Sequence, residues 1–126
     1  MKKKISLYSR KKGALVLVLA LGLASVSLAA EDTWTRKADM PTRRYVLSSS
    51  VVDSKIYAIG GKSGGFFSTV EEYDPARNTW TRKADMPTAR GAAGGSVVNG
   101  RIYVMGGTRG TYTAANSSVE EYNPTT

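Results

Sequence analysis

Glu71 with Glu72, and Glu120 with Glu121, are the residues that come nearest to a catalytic set in this sequence. Two carboxyls facing each other across roughly 5–10 Å can cleave a glycosidic bond, one as acid and the other as nucleophile or base. Adjacent residues on a strand cannot do this, because neighbouring side chains point to opposite faces. The glutamates are therefore expected at solvated or Arg-paired structural positions. Gly61, Lys62 and Ser63 imitate the end of a phosphate-binding loop. The position that should hold its first glycine is Ile56, and no helical pattern follows, so that chemistry is excluded. Asn116, Ser117 and Ser118 form a glycosylation sequon, meaningful only in a host that glycosylates exported proteins.

What is missing narrows the chemistry further. The 126 residues include no His and no Cys. A Ser-His-Asp triad, a thiol nucleophile, a disulfide framework and the common zinc, copper and haem ligand sets are all excluded. No metal and no cofactor are expected, and no catalytic residue is assigned. The formal charge of +8 does not point to nucleic acid. Six of the basic residues lie in residues 1–30, which hold no acid; residues 31–126 carry twelve basic and ten acidic residues. A nucleic-acid partner would need a basic stripe within the folded part.

The residues that could do chemistry must be positioned by something, and the organisation of the chain shows what. A basic stretch, an uncharged apolar stretch and small residues before Glu31 give residues 1–30 the order of a secretory signal peptide. The strongly apolar part, residues 14–24, is shorter than the ~20 residues of a bilayer span. Ser27 and Ala29 suit cleavage after Ala29; the alternative is an anchor formed by residues 13–30. In either case the remainder is exported, to a secreted or periplasmic location, with no membrane contact after cleavage.

Beyond the leader the chain repeats. Residues 34–42 recur unchanged as 80–88, an offset of 46. Gly60 and Gly61 match Gly106 and Gly107 at that offset, whereas residues 70–75 match 119–124 at 49. The extra residues fall in one loop of variable length. Four strands are predicted per repeat, at 46–52, 55–59, 69–73 and 79–82 in the first. Asn99 and Gly100 are a strong hairpin signal, because a type I′ turn needs positive φ at both central residues. The second strand, Ile56 to Ile59 or Ile102 to Met105, is apolar on both sides, so both sheet faces are expected to be covered. This is an all-β chain of four-stranded antiparallel propeller blades. The segments are 31–42 (an outer strand), 43–88 (a first blade) and 89–126 (a partial second blade).

The landmarks resemble the kelch-repeat family. Gly60 and Gly61, then Tyr73, then Trp80 make one set; Gly106, Gly107 and Tyr122 make a second, and Trp34 opens the series. The resemblance implies a β-propeller in which these residues are structural. Two blades cannot close a ring of about four to eight, so either more repeats belong to a longer reading frame or copies close a homo-oligomer. Kelch propellers usually bind partners through the loops between second and third strands and those between blades. Here these loops carry Arg43, Arg44, Lys62, Phe66, Phe67, Arg90, Arg109 and Tyr112. The expected function is an exported protein- or carbohydrate-binding module without catalysis. The alternatives are part of a sugar-converting propeller, such as a sialic-acid mutarotase, and a structural array in a surface protein. The copper centre of galactose oxidase, which carries similar repeats, needs His and Cys and is excluded.

The leader gives the first prediction. N-terminal sequencing of exported protein should read from Ala30 or Glu31; an intact Met1 would mean the anchor.

Overall fold

Short apolar runs bounded by turn residues become strands here for a local reason. Asp53 and Ser54 take φ of 48° and 60°, and Asn99 and Gly100 take 50° and 73°, the left-handed pair that a two-residue hairpin requires. The first turn joins β1 (Ser48–Val52) to β2 (Lys55–Ile59), and the second joins β7 (Gly94–Val98) to β8 (Arg101–Met105). The computed structural model describes residues 32–125, so the leader and Thr126 lie outside the described residues.

The first sheet continues through β5 (Val70–Asp74) and β6 (Thr79–Arg82). Its order is β1-β2-β5-β6, antiparallel throughout. The second sheet has the order β11-β8-β7, with β11 at Val119–Tyr122. Two small hairpins project from between the second and third strands of each sheet. They are β3 (Lys62–Ser63) with β4 (Gly65–Phe66), and β9 (Thr108–Arg109) with β10 (Thr111–Ala115). The sequence reading placed plain loops there. Gly64 and Gly110, both with positive φ, are the turn residues that allow hairpins instead.

The core lies between the two sheets. Val52, Tyr57, Ile59 and Val70 of the first sheet meet Ile102 and Val104 of the second, with Met86 from the connecting segment and Tyr122 packed against them. Tyr57 and Tyr122 touch edge to face, with ring centroids 6.0 Å apart. The registers show that the faces in contact are not equivalent. Tyr57, Ile59 and Val70 share one side of the first sheet, which we call its front. Ile102, Val104 and Tyr122 correspond in the repeat to Ile56, Ala58 and Tyr73, which lie on the opposite side, the back. The front of one blade therefore packs on the back of the next.

The back of the first blade is partly covered by the segment that precedes it. Trp80 Nε1 donates to the Ala38 carbonyl at 3.0 Å, and Asn78 Oδ1 accepts from both the Ala38 amide and the Tyr73 hydroxyl. The Tyr73 and Trp80 rings lie 5.0 Å apart. Trp80 thus packs within its own blade. The rest of that back face and the front of the second blade are uncovered among the described residues, with Val51, Ile56, Val98, Met105 and Val119 exposed. Coverage of both faces, expected from the apolar second strands, holds only at the junction.

The chain divides into Met1–Arg36 and Lys37–Thr126. Of the first unit the described residues are 32–36; they form no strand, and Trp34 is fully exposed. This corrects the outer strand expected within 31–42. The identical residues at Trp80 form β6 because β5 offers them an edge to pair with. No helix among the described residues is long and apolar enough to cross a membrane.

Burial at the junction sets an expected contrast. Ile102→Ala should cost about 2–5 kcal/mol, the range for a fully buried aliphatic side chain. Its repeat mate, the exposed Ile56, should cost well under half as much on the same change in dilute solution. Denaturant melts that give equal values for the two would contradict the front-to-back packing.

Candidate functional site: the loop end of the two blades

Each second strand delivers a pair of glycines to one end of its sheet, and the geometry there explains why. Gly60 has φ of +63°, and a Cβ on it would stand 2.4 Å from the Arg90 carbonyl oxygen. That carbonyl instead accepts from the Gly61 amide at 2.9 Å. Gly61, at φ +99°, and Gly107, at φ +83°, make matching approaches, a Cβ on them standing 2.9 Å from the Tyr45 and 2.5 Å from the Gly91 carbonyl oxygen. The glycine pairs let the inter-blade segment lie directly against the chain that leaves the second strand.

Backbone bonds then gather four segments. Tyr45 and Lys62 exchange two N–H···O bonds at 3.0 and 2.9 Å; Gly91 and Thr108 do so at 3.1 and 2.9 Å. The Ala92 amide donates to the Val46 carbonyl at 2.7 Å, tying the two inter-blade segments together. Val46 and Ala92 both sit at positive φ, near 50°, uncommon for any residue but glycine and most of all for the β-branched Val46. Both small hairpins and both inter-blade segments therefore converge on one end.

Two buried ion pairs pin this arrangement. The Arg90 side chain is wholly buried and lies 2.8 Å from Glu120. Its Nη1 also donates to the Gly106 and Ser118 carbonyls and to Ser118 Oγ. Arg44 is enclosed in the same way against Glu71 at 3.0 Å, and donates to the Ala58 carbonyl. Burial lowers the Arg44 pKa against the opposing pull of Glu71. Arg44 Nε and Nη1 have no hydrogen-bond partner. Arg90 and Arg44 were candidates for the binding loops, and neither side chain reaches the surface. Each sits behind its loop because it is the cation for a buried carboxylate. The one signal of this in the sequence is that Arg44 and Glu71 recur together as Arg90 and Glu120, which marks them as structural without showing that they pair.

The other glutamate of each pair behaves as the alternation demands. Glu72 accepts from Tyr57 at 2.7 Å and lies 3.2 Å from Lys83. Burial would raise its pKa, but those two hydrogen bonds outweigh it and lower the value. Burial and the same bond push the Tyr57 hydroxyl well above its ordinary value. Glu121 is held by Arg101 and Tyr103. All four carboxylates are thus occupied by cations or hydroxyls.

The remaining candidates lie on the loop end. Arg43 and Arg109 are exposed. Lys62 Nζ stands 5.0 Å from the centre of the Phe66 ring. Phe66 and Phe67 are half-buried, and the Phe66 ring borders Gly91. Tyr112 belongs to β10, and its side chain lies outside the described residues. Met40, Arg43, Arg44, Tyr45 and Ser63 line an open groove of about 590 Å³. One feature escaped the sequence reading. Residues 40–47, 60–68, 86–93 and 106–118 contain five basic residues and no Asp or Glu. At the outer rim, Asp85 is held by Arg82 at 2.7 Å. Among the described residues no three potential metal ligands come together.

The pinning role of Arg90 separates it from Arg43. Arg90→Ala removes the cation facing Glu120 and the side-chain donor to the Gly106 and Ser118 carbonyls, and should cost about 3–5 kcal/mol. Arg43→Ala should change stability by less than about 0.5 kcal/mol. Thermal and urea melts of the two variants check this.

The family model described as Kelch motif matches residues 43–87 and 89–126. A solved structure titled "Structure of YjhT" is 30% identical with a TM-score of 0.59, over 64% of this chain and 26% of that one. The chain spans about a quarter of the length of that protein. No curated protein matches. With two adjacent repeats matched over most of its length, and the glycine pairs, tyrosines and buried Arg–Glu pairs placed as the repeat requires, the chain belongs to the kelch-repeat family.

Proposed function

We propose that the chain is an exported binding module that takes an anionic partner, a protein or glycan bearing carboxylates, at the loop end of its blades. The observation that carries this is the charge of the converging loops. They hold basic residues without a single carboxylate, and Glu71 and Glu120 account for Arg44 and Arg90. Arg43 and Arg109 are exposed on the surface side, and Lys62 lies half-buried over the Phe66 ring. Tyr45, more than half exposed beside Arg43, supplies an aromatic contact of the kind that dominates binding hot spots. A basic rim steers an acidic partner toward the site and fixes its register, and guanidinium groups bind carboxylates in a bidentate fork.

The same composition favours binding over sugar conversion. Acid–base catalysis needs groups that titrate near working pH within hydrogen-bond reach of the substrate. The loop end offers arginines, a lysine and tyrosines, and the carboxylates nearest to it are engaged in structural pairs.

Fluorescence anisotropy with a labelled Glu-rich peptide and a neutral peptide of equal length tests the reading. The acidic peptide should bind, and added salt should weaken it. Arg43→Glu combined with Arg109→Glu should weaken it at least about tenfold, or 1.4 kcal/mol, with the circular dichroism spectrum unchanged. Equal affinity for both peptides, or no effect of the charge reversal, would refute the proposal.

A further inference from the structure

The two blades meet through unlike faces, and each of those faces exists a second time among the described residues with no blade against it. The repeat makes the comparison exact residue by residue. Val70, on the front of the first blade, is 2% exposed, whereas its mate on the front of the second, Val119, is 59% exposed. Ile59 is 3% exposed and its mate Met105 is 40%. On the backs the order is reversed: Ile102 of the second blade is 0% exposed and its mate Ile56 of the first is 38%. The connecting residue Met86 is buried in one cluster with Ile59, Val70 and Val104, and its mate Met40, in the segment before the first blade, is half-buried. The buried pins match as well, Arg44 with Glu71 standing where Arg90 and Glu120 stand at the junction. The uncovered back is thus already shaped like the covered one, down to its buried ion pair.

An unused edge and an unused strand sequence lie on the same sides. β11 has no strand on its outer edge among the described residues. Its counterpart β5 pairs there with β6, Tyr73 opposite Trp80 and Glu71 opposite Arg82. Trp34 repeats Trp80 within an identical block, and it stands fully exposed outside any strand.

We propose that the chain assembles head to tail with further copies of itself. The front of the second blade in one copy packs on the back of the first blade in the next, and residues 33–36 of that next copy pair along β11 as its fourth strand. The register follows from the first blade: Tyr122 opposite Trp34, Glu121 opposite Thr35, Glu120 opposite Arg36. Both contacts come from the same neighbour. In the first blade β6 leads directly into the segment that crosses to the second, and residues 33–36 lead in the same way into the segment lying on the first back. Such a heterologous contact repeats until it closes. Two, three or four copies would give four, six or eight blades, the size range of closed propellers. Assembly would also multiply the basic loop ends around one opening.

The test uses the full chain as its expression host processes it, in sedimentation velocity across a dilution series. The expected result is a discrete species of two, three or four copies that dissociates on dilution. Val119→Asp blocks the front and Ile56→Asp blocks the back; both positions are exposed in the single chain, so the circular dichroism spectrum should not change. Each variant alone should be monomeric, and an equimolar mixture should form a one-to-one pair, since one intact front and one intact back remain. The chain has no cysteine, so a mixture of Thr35→Cys and Glu121→Cys chains should yield a disulfide-linked dimer on mild oxidation. A wild-type chain that stays monomeric at every concentration would assign these faces to another partner and overturn the proposal. So would either face variant associating by itself, which would mean like-to-like contact, or a mixture that forms no pair.

Discussion

Each sheet is built with apolar residues on both faces, and a sheet of that kind must be covered twice. Most antiparallel sheets escape the demand by alternating apolar and polar residues and turning one side to water. Here the second strands read Ile56, Tyr57, Ala58, Ile59 and Ile102, Tyr103, Val104, Met105. The position of every other element answers to that fact. The blades stack because β2 and β8 need covering. The inter-blade segment delivers Met86 into the junction, and the glycine pairs let that segment come close enough to do so.

Stacking brings a second constraint, which the buried Arg–Glu pairs meet. An inter-blade segment laid across a sheet face carries peptide groups that must find partners away from water. A guanidinium offers five donors in a fixed plane. Arg90 uses them on two carbonyls, a hydroxyl and a carboxylate that come from the strand ends and the loop they flank. An apolar side chain could fill that volume but would offer no donor to the Gly106 carbonyl or to Glu120. The pair is therefore better understood as a device that fixes where the loop sits than as a source of net stability, since burying two charges offsets much of their attraction.

The sequence made the architecture legible to a depth that depended on how local each cause was. Strand positions and turns were readable because Asn99 and Gly100, or Pro75 after β5, act on the backbone within two or three residues. The repeat located both blades at once, since identical blocks cannot be arranged differently without a reason. What stayed hidden was set by contacts distant in the chain. Arg44 and Arg90 were placed among surface candidates because nothing local shows that each arginine meets a glutamate 27 or 30 positions on. Trp34 was read as a strand residue because its block is identical to that of Trp80, yet a strand exists only where another offers an edge. The hairpins at Gly64 and Gly110 were missed because three of their four strands are two residues long and leave no periodicity to detect.

The division of labour between faces and loops follows from the same physics. Residues on the sheet faces are constrained on two sides and repeat closely, as Tyr57 and Tyr103 or Glu72 and Glu121 do. The hairpins between second and third strands touch the sheet only through their first and last residues, so three residues could be inserted in the second without disturbing the registers on either side. That freedom lets Phe66 and Phe67 occupy one hairpin while Arg109 and Tyr112 occupy the other. Binding chemistry can then differ from blade to blade while the stack stays uniform. The blades meet their own carboxylates with arginines, lysines and tyrosines, whereas the converging loop segments carry basic residues and no carboxylate, so the anionic partner proposed above answers to the loops and not to the stack.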